Sequence, residues 1–445
     1  MSGYLNKKGI GLVSAVALAA SIGLASSAQA ADLGGDCCAD LEERVAELEA
    51  TTARKGNRKV SLTISGWVAE QVTWWDDGEE SNVYVSGIGA TLSSHFKMTG
   101  QATFAPGWQA GYVIHVETGT SDPLAFNQNS DDATVFDSVS LLQSYWFINS
   151  DRLGKLSVGQ LSHASDNAAI LVDGSGSLVP ANWVVFDGGG FATRSNGAYT
   201  GLNWGDVLSC GQTSLGIGAD CNGLPLNAIR YDSPTFNGFS VSASWGEDDM
   251  WDVAARYAGE FNGIKLAITA AYSHTSDEGV GLQRNLGIGV DHRDSDYFQI
   301  GAYIQHVPTG LFVYGAYGHE NNDNIALDAQ GNGNGGEIQQ GDTNHWYIKA
   351  GLRRKWNALG HTVLYGEYGK HDDMTSPYLL DFTNAVTSAD SSVTRWGLGA
   401  VQEIDAAAMS LWLAYRNMDG DFTIDGNKTS LDDLHIVKFG ALINF

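Results

Sequence analysis

The sequence predicts an all-β protein, a sixteen-stranded antiparallel transmembrane β-barrel, and three observations carry that expectation. The first is the ending of the chain. Counting back from the terminal aromatic, Phe445, Ile443, Ala441, Phe439 and Val437 share one face of an extended chain, while Asn444, Gly440 and Lys438 share the other. Period-2 alternation of this kind suits a strand with one face in lipid and one toward a wet interior. The second is the rhythm of the connections, which are short and long in turn. The third is composition: 55 Gly and only 7 Pro accompany 13 Trp, 17 Tyr and 16 Phe. Barrel strands use that mixture, with aromatics at the membrane interfaces, glycine at crowded bends and polar residues facing water inside.

The N-terminus reads as an export signal over residues 1–30. Lys7 and Lys8 form the positive region, Ile10 to Ala25 the apolar stretch, and Ala28-Gln29-Ala30 a small-x-small cleavage site, so the mature chain is expected to begin at Ala31. The apolar stretch is too short and too rich in Ala, Gly and Ser for a spanning helix. No later segment offers 18 consecutive apolar residues. A chain without such a segment can still cross a bilayer as a closed barrel, because closure satisfies every backbone group. Removing residues 1–30 takes away two lysines and no acids, leaving 23 basic and 51 acidic residues, a net charge of −28.

Residues 31–59 form a periplasmic N-terminal segment. Cys37 and Cys38 are adjacent there, and lipid attachment is not expected: cleavage at Ala30 leaves both thiols internal, and Gly35-Asp36 is a poor context for it. Asp40 to Thr51 is the one convincing helix, with Leu41, Val45 and Leu48 at 4-then-3 spacing among Glu42, Glu43, Arg44, Glu47 and Glu49. It reads either as a short amphipathic helix or as a brief coiled coil between subunits. Fewer than two heptads make no coiled coil that is stable alone.

From Val60 onward the chain reads as strand, tight turn, strand, long loop, a barrel domain of residues 60–445. Phe239, Val241, Ala243 and Trp245 oppose Ser240, Ser242 and Ser244. Trp251, Val253, Ala255, Tyr257 and Phe261 oppose Asp252, Arg256 and Glu260, and Ile264, Leu266, Ile268, Ala270 and Tyr272 oppose Lys265, Thr269 and Ser273. A one-residue slip would put Arg256 or Lys265 into lipid at about 2–4 kcal/mol each near the midplane, so the register is well determined.

Seven tight connections are expected: Ala105–Trp108, Ser150–Gly154, Pro234–Gly238, Phe261–Gly263, Val307–Gly310, Asn357–Gly360 and Ile404–Ala407. Between them lie eight others, mostly longer and acidic or Gly-rich, with a short one near Glu247 to Met250. Seven and eight connections make sixteen strands with both ends on the tight-turn side. A barrel of that size is wide enough for an aqueous channel.

One loop is anomalous. Residues 162–225 show no alternation long enough to span, yet carry Leu171, Val172, Trp183, Phe186 and Phe191, too apolar for disorder. Cys210 and Cys221 bracket a Gly-rich stretch within it and form a candidate disulfide in an oxidising compartment. Such a loop needs a surface to pack on. It is expected to fold inward on the lumen wall, the other reading being an external cap over the barrel mouth.

Three segments carry a family resemblance. Cys38-Ala39-Asp40-Leu41-Glu42-Glu43-Arg44-Val45-Ala46-Glu47-Leu48-Glu49, followed by Val60-Ser61-Leu62-Thr63-Ile64-Ser65-Gly66, resembles the start of the alphaproteobacterial porins of the Rhizobium/Brucella type. Asn227-Ala228-Ile229-Arg230-Tyr231-Asp232-Ser233-Pro234 is similar to a recurring segment of that family. Leu153 to Gln160 resembles the strand before the constriction loop of general bacterial porins. The resemblance implies a trimeric outer-membrane porin of a Gram-negative bacterium whose third external loop narrows the pore.

A channel performs no chemistry, so its sites are charges at a narrow place. The loop supplies Asp166, Asp173 and Asp187, and inward wall positions supply Lys97, Arg230, Arg256, Lys265, Lys349, Arg353 and Arg395. With a net charge of −28, a weak preference for small cations is expected. The function read from this is passive diffusion of small hydrophilic solutes and ions. The alternatives are a substrate-selective, sugar-type channel and, further off, a barrel-based enzyme or adhesin. Expected partners are outer-membrane lipid and lipopolysaccharide, two further copies in a homotrimer, and the solutes. Nucleic acid is excluded by the missing basic patch, and no Cys/His spacing fits zinc. No cofactor or catalytic residue is expected. The runs Asp131-Asp132, Asp372-Asp373 and Asp432-Asp433 offer carboxylates that with lipid phosphates could bind Ca²⁺ or Mg²⁺ at the outer leaflet, the other and commoner reading being solvated loop acids. A plugged transporter is excluded because about thirty mature residues before the barrel cannot fold into a plug.

Overall fold

Alternation sets the wall. In the computed structural model, sixteen strands pair antiparallel, each with its neighbours in sequence. They are β1 (Thr63–Asp76), β2 (His95–Ala105), β3 (Trp108–Thr118), β4 (Val139–Ser150), β5 (Gly154–Leu161), β6 (Leu226–Asp232), β7 (Phe239–Gly246) and β8 (Trp251–Phe261), followed by β9 (Ile264–Thr275), β10 (Ser295–His306), β11 (Leu311–Asn322), β12 (Thr343–Arg354), β13 (Thr362–Asp372), β14 (Ala389–Ile404), β15 (Met409–Ile424) and β16 (Leu434–Asn444). The structure describes residues 59–445 except 120, 136, 209–220, 222, 247–248, 277–289, 293–294, 323–324, 327–341 and 375–387. The signal with its Ala30–Ala31 junction, Cys37, Cys38, the helix over Asp40–Thr51, and Cys210 lie outside the described residues.

β1 and β16 close the barrel, in register from Trp67↔Asn444 to Asp76↔His435. The wall therefore has no free edge, which is what allows strands to sit in hydrocarbon. The predicted faces hold. Val241, Trp245, Val253, Ile300, Ile348, Leu398, Phe439 and Ile443 point outward and are exposed, while Ser242, Ser244, Asp252, Thr269, Ser273 and Lys438 point inward and are buried. All seven tight connections fall on one rim. No described helix is long and apolar enough to cross a membrane; the strands do that work.

Two segments depart from the wall. The described residues of the 162–225 loop, 162–208 above all, fold into the barrel, so the external-cap reading is set aside. The second departure was not anticipated. The outer half of β1 pairs with Ser81–Ser86 and its inner half with β2. Between those partners Gly87–Ser94 leaves the sheet and turns inward, burying Ile88 and Leu92. Its small and apolar residues give no local sign of the departure, because alternation cannot register that a partner has been lost.

Candidate functional site

The inward loop follows the lumen wall strand by strand, and wall side chains hold it by its backbone. Where it leaves β5, Arg230 on β6 donates from Nη1 to the carbonyls of Ser162 (2.7 Å) and His163 (2.9 Å). Arg256 on β8 donates to the carbonyl of Ala164 (2.5 Å). Asp252 accepts from the amide of Ser165 (2.6 Å), its hydroxyl (2.7 Å) and His163 Nδ1 (2.6 Å). Farther on, Gln299 on β10 accepts from the amide of Ala169 (2.8 Å) and donates to the carbonyl of Ser165 (2.9 Å). Tyr314 on β11 donates to the carbonyl of Ala169 (2.8 Å). The backbone comes so close here that a Cβ on Gly301 would stand 2.2 Å from that same carbonyl oxygen. The wall needs glycine at this point to seat the loop.

Beyond that point the contacts become ionic. Lys349 on β12 bonds Asp173 Oδ2 (2.5 Å) and the carbonyl of Ala181 (2.9 Å). Arg395 on β14 donates to the carbonyl of Trp183, whose ring stacks on His345 with centroids 4.7 Å apart. Asp187 then sits between two cations, bonded to Arg416 on β15 and to Lys438 on β16 (2.7 Å). Arg416 also reaches Glu367 on β13 (3.1 Å). Lys438 donates in addition to the carbonyl of Pro180 (3.1 Å). The returning limb carries the hairpin Ala192–Ser195 and Ala198–Asn203 and the short helix Trp204–Leu208. Arg194 ties it to the outer rim through Asp77 (2.7 Å) and Glu80 (2.5 Å). Phe191 packs there against Trp75 and Phe126, with centroids 4.8 and 5.4 Å away.

The loop carboxyls have different environments. Burial alone would raise the Asp187 carboxyl, but the charges of Arg416 and Lys438 hold it well below the usual carboxylate range. Burial pushes the Asp166 carboxyl up. Its neighbour Asn167 donates to it at 2.5 Å. Burial disfavours a charged His163, yet the Asp252 carboxylate beside it raises its pKa.

The charges expected at a narrow place are thus distributed along the loop. Arg230, Arg256 and Asp166 stand near its start, and Lys349 with Asp173 near its middle. Arg395 and Asp187 follow farther on. Arg353 faces inward near the tight-turn rim, where it pairs with Glu403 (2.8 Å), and Lys265 lies near that rim on β9. Lys97 faces inward on β2, in register with His115. Cys221 is buried, and its expected partner Cys210 lies outside the described residues. Sequence reasoning missed Arg416, Glu367 and the part played by Lys438. The signal was there: on β15, Leu411, Leu413 and Tyr415 alternate with Trp412, Ala414 and Arg416, which places Arg416 on the lumen face.

A small void remains between the loop and β1, bounded by Gln71, Ile88, Asn182, Asp187, Arg416 and Lys438. Lumen tyrosines on the opposite wall, Tyr303, Tyr314, Tyr347 and Tyr365, are buried.

The family model of Gram-negative porins matches residues 14–436. No curated protein matches the sequence. Among solved structures, the chain is similar to an anion-selective porin from Comamonas acidovorans, at 16% identity and a TM-score of 0.55, over 87% of this chain and 100% of that one. It is also similar to in-vitro folded OmpT, an outer membrane protein of Vibrio cholerae, at 13% identity and a TM-score of 0.51, over 88% and 99%. The outer membrane channel DcaP of Acinetobacter baumannii gives 11% identity and a TM-score of 0.50, over 88% and 100%. At these identities the likeness is one of fold.

Proposed function

The chain belongs to the Gram-negative porin family and forms a channel of the bacterial outer membrane, and from that premise we propose how it passes solutes. Small hydrophilic molecules and ions cross by passive diffusion through the lumen that the inward loop narrows, with a weak preference for cations. One observation carries this reading: the loop acids Asp173 and Asp187 are bonded directly to wall cations. Ion-paired charges set up little net field, so strong selectivity at the narrow place is not expected. The preference comes instead from the outer mouth, where Glu79, Asp131, Asp132, Asp137 and Asp249 are exposed. A sugar-type slide is disfavoured, since the lumen tyrosines lie buried along the loop's path.

Reversal potentials in KCl gradients test the proposal. Mouth charges are screened by salt, the Debye length being about 10 Å at 0.1 M and 3 Å at 1 M. Cation preference should therefore appear at low salt and vanish at high salt. A clear anion preference at low salt would overturn it. Asp166→Asn combined with Asp173→Asn leaves the Lys349 charge unpaired and should move the reversal potential toward anions. An unchanged potential would put both aspartates away from the conducting path.

The finer assignments follow the same reading. We place the chain with the Rhizobium/Brucella-type porins on its opening segment, and expect a homotrimer in contact with lipid and lipopolysaccharide. The mature chain starts at Ala31, and Cys210 and Cys221 are joined within the loop. A ring of that size contributes roughly 3 kcal/mol in chain entropy. Non-reducing peptide mapping of protein extracted from outer membranes checks both points. It should return an N-terminal peptide beginning at Ala31 and a linked pair containing Cys210 and Cys221; two free thiols would remove the bridge.

A further inference from the structure

We propose a transition-metal site on the lumen wall, formed by His95, His115 and Glu117, for a borderline divalent ion of the zinc class. The three side chains come from adjacent strands. His95 on β2 is in register with Glu117 on β3, and His115 lies two residues before Glu117 on the same face. All three are buried, and one ligand atom from each lies within 4.8 Å of the others. The imidazole rings stand edge to face with centroids 4.2 Å apart.

What singles out this cluster is that lone pairs on two of its members, His115 and Glu117, are unused among the described residues. Neither ring nitrogen of His115 has a hydrogen-bond partner among the described residues, and neither has Glu117 Oε1. Buried polar atoms are rarely left so. The remaining atoms are oriented as a ligand set requires. His95 Nδ1 lies 3.1 Å from the carbonyl of Ser93, a contact only its protonated form can make, so Nε2 keeps the lone pair. Glu117 Oε2 accepts the amide of Thr91 (3.1 Å), which fixes the carboxylate with Oε1 free. Backbone bonds behind metal ligands set tautomer and orientation in this way. Two imidazoles and one carboxylate suit zinc better than magnesium or calcium, which prefer all-oxygen shells. Three protein ligands leave a fourth position open to water or a passing anion.

The surroundings favour a cation reaching the site from outside. A pocket beyond Glu117 on the outer side is lined by Asp122, Asp137, Ser93, Ser121 and Ser140. Both backbone contacts come from Gly87–Ser94, so a bound ion would fasten the inward segment to the wall. Lys97, in register with His115, opposes the ion's charge and limits the affinity. A second cluster, His361 with Glu403 and Asp405, lacks this character because its carboxylates are engaged by Arg353 and Lys355.

Equilibrium dialysis of the detergent-solubilised protein against ZnCl2 tests the site. One zinc per chain should bind, with excess MgCl2 unable to displace it. His115→Gln keeps the side-chain volume and removes the lone-pair arrangement, and should weaken that binding by about tenfold or more. His361→Gln should leave it unchanged. The folded barrel of each variant is verified by its heat-dependent electrophoretic mobility. Absence of stoichiometric zinc in the native protein, or equal retention in His115→Gln, would overturn the proposal.

Discussion

Replacing Asp187 with alanine is expected to free the distal limb of the inward loop and raise the single-channel conductance. Asp187, Arg416 and Lys438 side chains are only 2%, 3% and 6% exposed. Removing the shared carboxylate leaves two buried cations facing each other with only Glu367 to offset them. Breaking a buried ion pair costs about 3–5 kcal/mol. That is more than the few neutral hydrogen bonds nearby can supply, at roughly 1 kcal/mol each. Barrel assembly should survive, because no ladder hydrogen bond depends on the Asp187 side chain. Larger sugars should then pass in liposome-swelling assays, and conductance steps should grow. Unchanged steps with an unchanged sugar limit would show that the triad does not hold the loop.

The same triad fixes the response to acid. A carboxyl whose folded pKa lies below its unfolded value, near 3.9, stabilises the fold above that value. The contribution fades only as pH falls through the lower, folded pKa. Asp187 is held low, so the loop should keep its place at pH 4. The limiting sugar size in liposome-swelling assays should therefore be the same at pH 4 as at pH 7, and a larger limit at pH 4 would show that the triad does not hold the loop there.

How much of this was legible in sequence differs between wall and lumen. Strand count, faces and the inward loop followed from alternation and connection length, because lipid on one side forces every second residue to be apolar. Phe239 to Trp245 and Ile264 to Tyr272 could hardly be read otherwise. The site was legible only as a supply of charges. Which cation meets which acid depends on how a loop of about sixty residues traverses the lumen, and period 2 is silent on that. Lys438 was visible on the inner face of the last strand, yet nothing local says that Asp187 lies against it. The inward turn of Gly87–Ser94 was hidden for a related reason. A strand segment and a segment that has lost its partner can share one pattern.

Gly66→Val is expected to have the largest effect of any single substitution, by preventing closure. Gly66 and Phe445 exchange both backbone hydrogen bonds at 3.1 Å, extending the β1–β16 seam to the last residue. On its other side Gly66 lies against β2. A Cβ there would stand 2.0 Å from the carbonyl oxygen of His95 and 3.0 Å from the Phe445 ring. The first contact is with backbone, so no side-chain rotation relieves it, and either the β1–β2 ladder or the seam must open. Ordinary overpacking costs about 1–3 kcal/mol; this clash should exceed that range. An opened seam exposes unpaired amides and carbonyls to hydrocarbon, at several kcal/mol for each group. Deleting Phe445 removes two hydrogen bonds and the terminal ring but introduces no clash, so it should reduce assembly less than Gly66→Val does. Heat-modifiable mobility of outer-membrane extracts reads both outcomes. Folded barrel at the native level in Gly66→Val would mean that the seam tolerates a displaced β1, and that closure does not rest on the close approach at Gly66.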